Sequence, residues 1–137
     1  MISEEKEKFY SEMVGRLASG DYPEIHGRLE GKSKVDLLHS LLGLATESGE
    51  LLTTLKKHLF YGVPLDRENL LEELGDARWF FELILRTLGF TMEEVMDANI
   101  AKLKRRFPEG VFDAARAVHR DHVEEMKALA GSISKPL

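Results

Sequence analysis

No cysteine occurs among the 137 residues, which excludes disulfide staples and thiolate metal sites. Proline is scarce, at four, so few positions force a helix to end. No apolar run approaches the roughly 18 residues that a membrane span requires. The charged opening Met1-Ile2-Ser3-Glu4-Glu5-Lys6-Glu7-Lys8 leads into no apolar leader segment. The expectation from these absences is a cytoplasmic protein with no membrane partner. An excess of basic charge is also missing: 19 Lys and Arg stand against 24 Asp and Glu, for a net charge of −5. That balance argues against binding a nucleic acid polymer through bulk electrostatics. A small anion remains possible, given local help from a metal or a few basic side chains.

What is present is an ordinary globular composition, 43% hydrophobic and 31% charged with a mean hydropathy of −0.24, long enough for one domain with a core. Apolar residues recur at helical spacing, and no alternating strand pattern competes. A first helix is predicted over about Ser3 to Leu17. Gly20, Pro23, Gly27 and Gly31 mark the stretch from Ala18 to Lys32 as a loop with weak structure. Ser33 is the expected N-cap of a long second helix, about Lys34 to Phe60, whose leucines on more than one side predict burial among neighbours.

Tyr61-Gly62-Val63-Pro64-Leu65 breaks that helix, and Asp66 caps a third that ends at about Leu88 before Gly89. Thr91 and Glu94 make a capping box for a fourth, which must stop before Pro108. A fifth, more polar helix is expected over about Asp113 to Leu129, followed by a loose tail at 130–137. The chain is therefore predicted to be all-α: one domain over 1–137, an antiparallel bundle of about four to five helices with its core at about 34–110.

Two helices carry acids inside apolar stretches. Glu47 and Glu50 lie in Leu44-Ala45-Thr46-Glu47-Ser48-Gly49-Glu50-Leu51-Leu52, and Glu73 and Asp76 lie in Leu70-Leu71-Glu72-Glu73-Leu74-Gly75-Asp76-Ala77. Three residues apart, each pair projects from one side of its helix. Two such pairs facing each other would repel unless a divalent cation sat between them. Mg²⁺ takes hard oxygen ligands and keeps waters that a substrate can replace, which suits four carboxylates on two rigid helices. Glycine inside a helix costs about 1 kcal/mol relative to alanine, so Gly49 and Gly75 suggest close helix approach or ligand access. Either pair alone is common on solvated helix faces; their repetition on successive helices is what points to a metal.

The combination resembles the MazG-like, all-α nucleoside triphosphate pyrophosphatases, especially the stand-alone, phage-type members. Their mark is Glu-Glu-x-x-Glu, a spacer, then Glu-x-x-Asp. Here Glu47-x-x-Glu50 and Glu73-x-x-Asp76 match, His39-Ser40-Leu41-Leu42-Gly43-Leu44 precedes the first pair, and Ala98-Asn99-Ile100-Ala101-Lys102-Leu103-Lys104-Arg105-Arg106-Phe107-Pro108-Glu109-Gly110 resembles the family's basic segment. The resemblance covers roughly Asp36 to Gly110. Thr46 stands where the family has its first acid, which leaves the water-activating base unassigned.

The resemblance implies a Mg²⁺-dependent enzyme, with Mn²⁺ as a possible substitute, that hydrolyses (d)NTP to (d)NMP and pyrophosphate in nucleotide-pool sanitation. Glu47, Glu50, Glu73 and Asp76 are the implied metal ligands and catalytic acids. Asn99, Lys102 and Arg106 fall one turn apart and are candidates for the substrate's phosphates. Lys57, within about 20° of Glu50 on the helix wheel, is another candidate for phosphate. Phe80 is a candidate for stacking on the base, whereas Trp79 and Phe81 read as core; His39 is a candidate near the base or ribose, though its position reads first as a hydrogen-bonded structural histidine. The basic run to Arg106 also opposes the helix macrodipole at a C-terminus. His119, His122 and Glu125 form a second metal-like stripe, read here as a solvated face. The resemblance further implies a homodimer or dimer-based homotetramer. Alternatives are a dUTP- or dCTP-specific pyrophosphatase, a phosphoribosyl-ATP pyrophosphohydrolase, or a non-catalytic helical interaction module; a di-iron bundle is disfavoured because Glu-x-x-His is absent.

Overall fold

The structure, a computed structural model, describes residues 2–18 and 20–133; residues 134–137 of the expected tail lie outside the described residues. It is all-helical, with seven helices and no strand among the described residues. The chain divides into two compact units, Met1–Val35 and Asp36–Leu137.

In the first unit, α1 (Glu4–Leu17) begins where the Ser3 hydroxyl accepts from the Lys6 N–H at 3.3 Å, with Glu4, Glu5 and Glu7 in the first turn and Arg16 in the last. This charge order complements the macrodipole. The stretch expected to be a loop instead holds α2 (Tyr22–Leu29). Asp21 caps it and Pro23 falls within its first turn, where its missing N–H has no helical partner to lose. An Arg28–Glu24 ion pair at 3.0 Å links successive turns.

The long helix α3 (Lys32–Tyr61) starts earlier than expected, and Ser33 sits inside its first turn. Gly31 takes the entry position instead: at φ 104° it turns the chain as few other residues can, and its carbonyl accepts from the Lys34 and Val35 N–H groups at 3.2 Å each. At the other end His58 Nδ1 meets the Val63 carbonyl at 2.9 Å and closes the turn. Asp66 then caps α4 (Arg67–Leu88), and Gly89, at φ 75°, ends it.

Helices α3 and α4 form an antiparallel hairpin. Phe80 lies over Gly43, carboxylate oxygens of Glu73 and Glu47 lie within 4.8 Å of each other, and Asn69 bonds to Thr54, so the α3 number rises as the α4 number falls. The residues that α3 buries are small, Ser40, Gly43 and Thr54, which lets the helices approach closely. Its leucines do not behave as predicted: Leu38, Leu41, Leu42, Leu52, Leu55 and Leu59 are exposed in the single chain. Only one stripe of α3 meets α4, and these leucines lie outside it.

The capping box forms as predicted at Thr91 and Glu94, opening α5 (Met92–Arg106). The expected fifth helix is two: α6 (Ala114–Val118) and α7 (His122–Gly131). Asp113 and Asp121 each accept from an N–H three residues on, at 2.8 and 3.1 Å, so the second cap starts a new helix where continuity was predicted. Arg106 clamps Glu125 through two hydrogen bonds of 2.9 and 2.6 Å, and Arg120 adds a third at 2.8 Å, locking α5 to α7. Glu125 is 1% exposed, so this part of the His119–His122–Glu125 stripe is a buried ion pair and no solvated face.

Candidate metal centre

The acid motifs meet where the hairpin requires. Antiparallel packing sets Glu47 on α3 opposite Glu73 on α4, and Asp76 follows one turn later on the same side. One ligand atom from each of Glu47, Glu73 and Asp76 lies within 4.8 Å of the others. Glu73 is buried, Glu47 half-buried and Asp76 exposed, so the cluster opens from the hairpin toward solvent. Glu50 lies outside this trio and is exposed, yet its charge is felt at Glu47.

Electrostatics report the crowding. The Glu47 carboxyl is pushed above its ordinary value, first by desolvation, then by a hydrogen bond to Glu73, then by the charges of Glu50, Glu73 and Asp76. Among the described residues, no Lys or Arg forms an ion pair with any of these four acids. Concentrated carboxylates without a cationic side chain are a donor set suited to a hard divalent cation. The residues present therefore fit the metal that the motif implies.

Neighbouring groups fix the cluster. Asn69 Nδ2 donates to Glu73 Oε1 at 2.7 Å, and the Thr54 hydroxyl donates to Asn69 Oδ1. Thr46 donates to the Gly43 carbonyl at 2.7 Å and lies 3.4 Å from Glu47 Oε1, so the residue in place of the family's first acid is tied to the backbone. Sequence patterns did not single out Thr54 or Asn69. Their spacing, one turn after Glu50 and one turn before Glu73, was the available signal, and it acquires meaning only when the helices pair.

The helix-packing role expected of Gly49 and Gly75 falls to another glycine. A methyl group added at either would meet nothing within 4 Å, whereas at Gly43 it would fall inside 3.0 Å of three ring carbons of Phe80. Phe80 also meets His39 and Trp79 nearly edge-on, with ring centroids 5.6 and 5.0 Å apart. His39 is exposed, and Trp79, expected in the core, is 57% exposed; Phe81 is half-buried.

The basic candidates separate. Lys57 lines a cleft of about 500 Å³ with Thr54, Asp66, Glu68, Asn69 and Glu72, adjoining the residues that hold Glu73. Asn99 and Lys102 lie on α5, and neither side chain is engaged in a hydrogen bond or ion pair among the described residues. Arg106, expected at phosphate, has its Nε and one terminal nitrogen committed to Glu125 and is 17% exposed. Its guanidinium is held charged by that hydrogen bond.

The chain is thus an all-helical protein with paired acids on one hairpin, a donor set suited to a divalent cation. Residues 37–111, more than half of the chain, match the MazG nucleotide pyrophosphohydrolase domain, and the protein is a member of that family. No curated protein and no solved structure matches it. No helix among the described residues is long and apolar enough to cross a membrane.

Proposed function

We propose that this protein is a cytoplasmic, Mg²⁺-dependent nucleoside triphosphate pyrophosphohydrolase, with Mn²⁺ able to substitute. Water attacks the α-phosphorus of a (d)NTP, the bond from that phosphorus to the bridging oxygen breaks, and pyrophosphate leaves with (d)NMP as the second product. The observation that carries this reading is the convergence of Glu47, Glu73 and Asp76 within 4.8 Å without a basic side chain paired to them. A bound cation supplies charge neutralisation at the phosphate oxygens and acidifies water.

The chain's own residues divide the remaining work. Glu47, Glu50, Glu73 and Asp76 hold the cation. With Thr46 unable to serve as a base, acceptance of the attacking water's proton falls to these carboxylates. Lys102 and Asn99, whose donors are free, bind the triphosphate, and Lys57 reaches it from the hairpin cleft. His39 and Phe80 border the base or ribose. Arg106 is left out of this assignment because Glu125 already occupies it. The exposed leucines of α3 support self-association into a homodimer or a dimer-based tetramer, since single chains rarely leave such apolar area uncovered.

The test is a pyrophosphate-release screen over the common NTPs and dNTPs and phosphoribosyl-ATP, with and without Mg²⁺, using Asp76→Asn as the control. Release that requires both Mg²⁺ and Asp76 supports the proposal, and the preferred nucleotide identifies the base. No release from any nucleotide, or equal release by the variant, sinks it.

A further inference from the structure

We infer that Thr54 and Asn69 are positioning residues: a hydrogen-bond relay across the hairpin that holds Glu73 in place to receive a divalent cation. The inference rests on the metal-site reading above and adds two residues to it.

Thr54 is 6% exposed and Glu73 is 5% exposed, so neither polar group can rely on water. Asn69 Nδ2 lies 2.7 Å from Glu73 Oε1. An ionised carboxylate only accepts, so the amide must turn its NH₂ toward Glu73 and its carbonyl toward Thr54. The Thr54 hydroxyl then has one use, donation to Asn69 Oδ1. The relay therefore has a fixed direction: each donor points from α3 toward the Glu73 carboxylate. Its root is fixed as well, because the Asn69 N–H donates to the Asp66 cap at 3.0 Å in the first turn of α4.

The chemistry of the donor matters. A Lys or Arg at this place would satisfy Glu73 by neutralising it, and would compete with a cation. An amide satisfies one oxygen and leaves the negative charge in place. Thr54 reinforces the amide face that Glu73 selects: its hydroxyl donates to the Asn69 carbonyl, so it anchors the amide and removes freedom to rotate away from Glu73. The relay also crosses from helix to helix beside the cluster, so it sets Glu73 relative to Glu47 as well as its rotamer.

The experiment is Mn²⁺ titration of the full chain, followed by the electron paramagnetic resonance signal of free Mn²⁺, with metal-free melting curves to confirm folding. Asn69→Ala is expected to weaken Mn²⁺ binding about 10- to 100-fold, as loss of a group orienting a metal ligand does. Thr54→Val, nearly equal in volume, is expected to weaken it by a smaller factor, and Thr54→Ser, which keeps the hydroxyl, to restore it. Should Asn69→Ala not fold, the Thr54 pair decides alone. Binding by Thr54→Val as tight as wild type, or Thr54→Ser as weak as Thr54→Val, overturns the relay while the metal site stands. Failure of wild type to bind Mn²⁺ better than Glu73→Gln overturns both.

Discussion

Gly43→Ala tests the packing that builds the site, and its sign is informative. In a helix interior this change ordinarily stabilises by about 0.8–1 kcal/mol, because alanine loses less backbone freedom. At Gly43 the new methyl would overlap three carbons of the Phe80 ring, which His39 and Trp79 border edge-on. Overpacking of this kind costs about 1–3 kcal/mol, so the net effect is about 0–2 kcal/mol of destabilisation. Gly49→Ala is the internal control, since its methyl meets nothing within 4 Å and the helical gain should appear undiminished.

The two variants should therefore differ by about 1–3 kcal/mol, or roughly 3–10 °C in melting temperature for a chain of this size. Urea denaturation at fixed protein concentration measures this, and Phe80→Ala completes a double-mutant cycle. With the ring removed, Gly43→Ala should recover its stabilising sign, giving a coupling of about 1–3 kcal/mol. Equal stabilisation by Gly43→Ala and Gly49→Ala in wild type, or coupling near zero, would refute the close approach of α3 and α4 at this point.

Other expectations follow from the charges. Glu47→Gln should raise the melting temperature without divalent cation, because it removes the desolvation and then the acidic repulsion that push this carboxyl up, and should lose that advantage once Mg²⁺ is added; thermal shift with and without Mg²⁺ reads the crossover. The Glu125 carboxyl is held down at about 2 from 4.5 by its hydrogen bonds to Arg106 and Arg120. A depressed acid stabilises fully above its unfolded value and loses that contribution as pH falls through the folded one. Stability should thus decline between about pH 4.5 and 2, with a shallower slope in Glu125→Gln measured by denaturant titration at each pH. Lys102→Ala should raise KM about tenfold or more with little change in melting temperature, whereas Arg106→Ala should lower the melting temperature by uncovering Glu125. Leu41→Glu and Leu55→Glu, on the exposed side of α3, should shift the chain toward monomer in size-exclusion chromatography with light scattering.

The sequence by itself determined the helical class, most helix ends and the family. Asp66, Thr91 and Gly89 act within one turn of their own position, so local chemistry suffices to read them. The acid spacing is equally local, since three residues make one face of any helix. Short helices escaped: α2 and the break between α6 and α7 depend on single caps at Asp21 and Asp121 that glycines and charges nearby obscured.

Tertiary structure decided which groups face each other. It set Gly43 against the Phe80 ring and left Gly49 and Gly75 with nothing within 4 Å of an added methyl. It paired Arg106 with Glu125, 19 residues later, a buried charge that needs a partner. It also joined Thr54 to Asn69, 15 residues apart, behind Glu73. Periodicity places a side chain on a face of its own helix; only packing supplies the second helix that gives that face a partner.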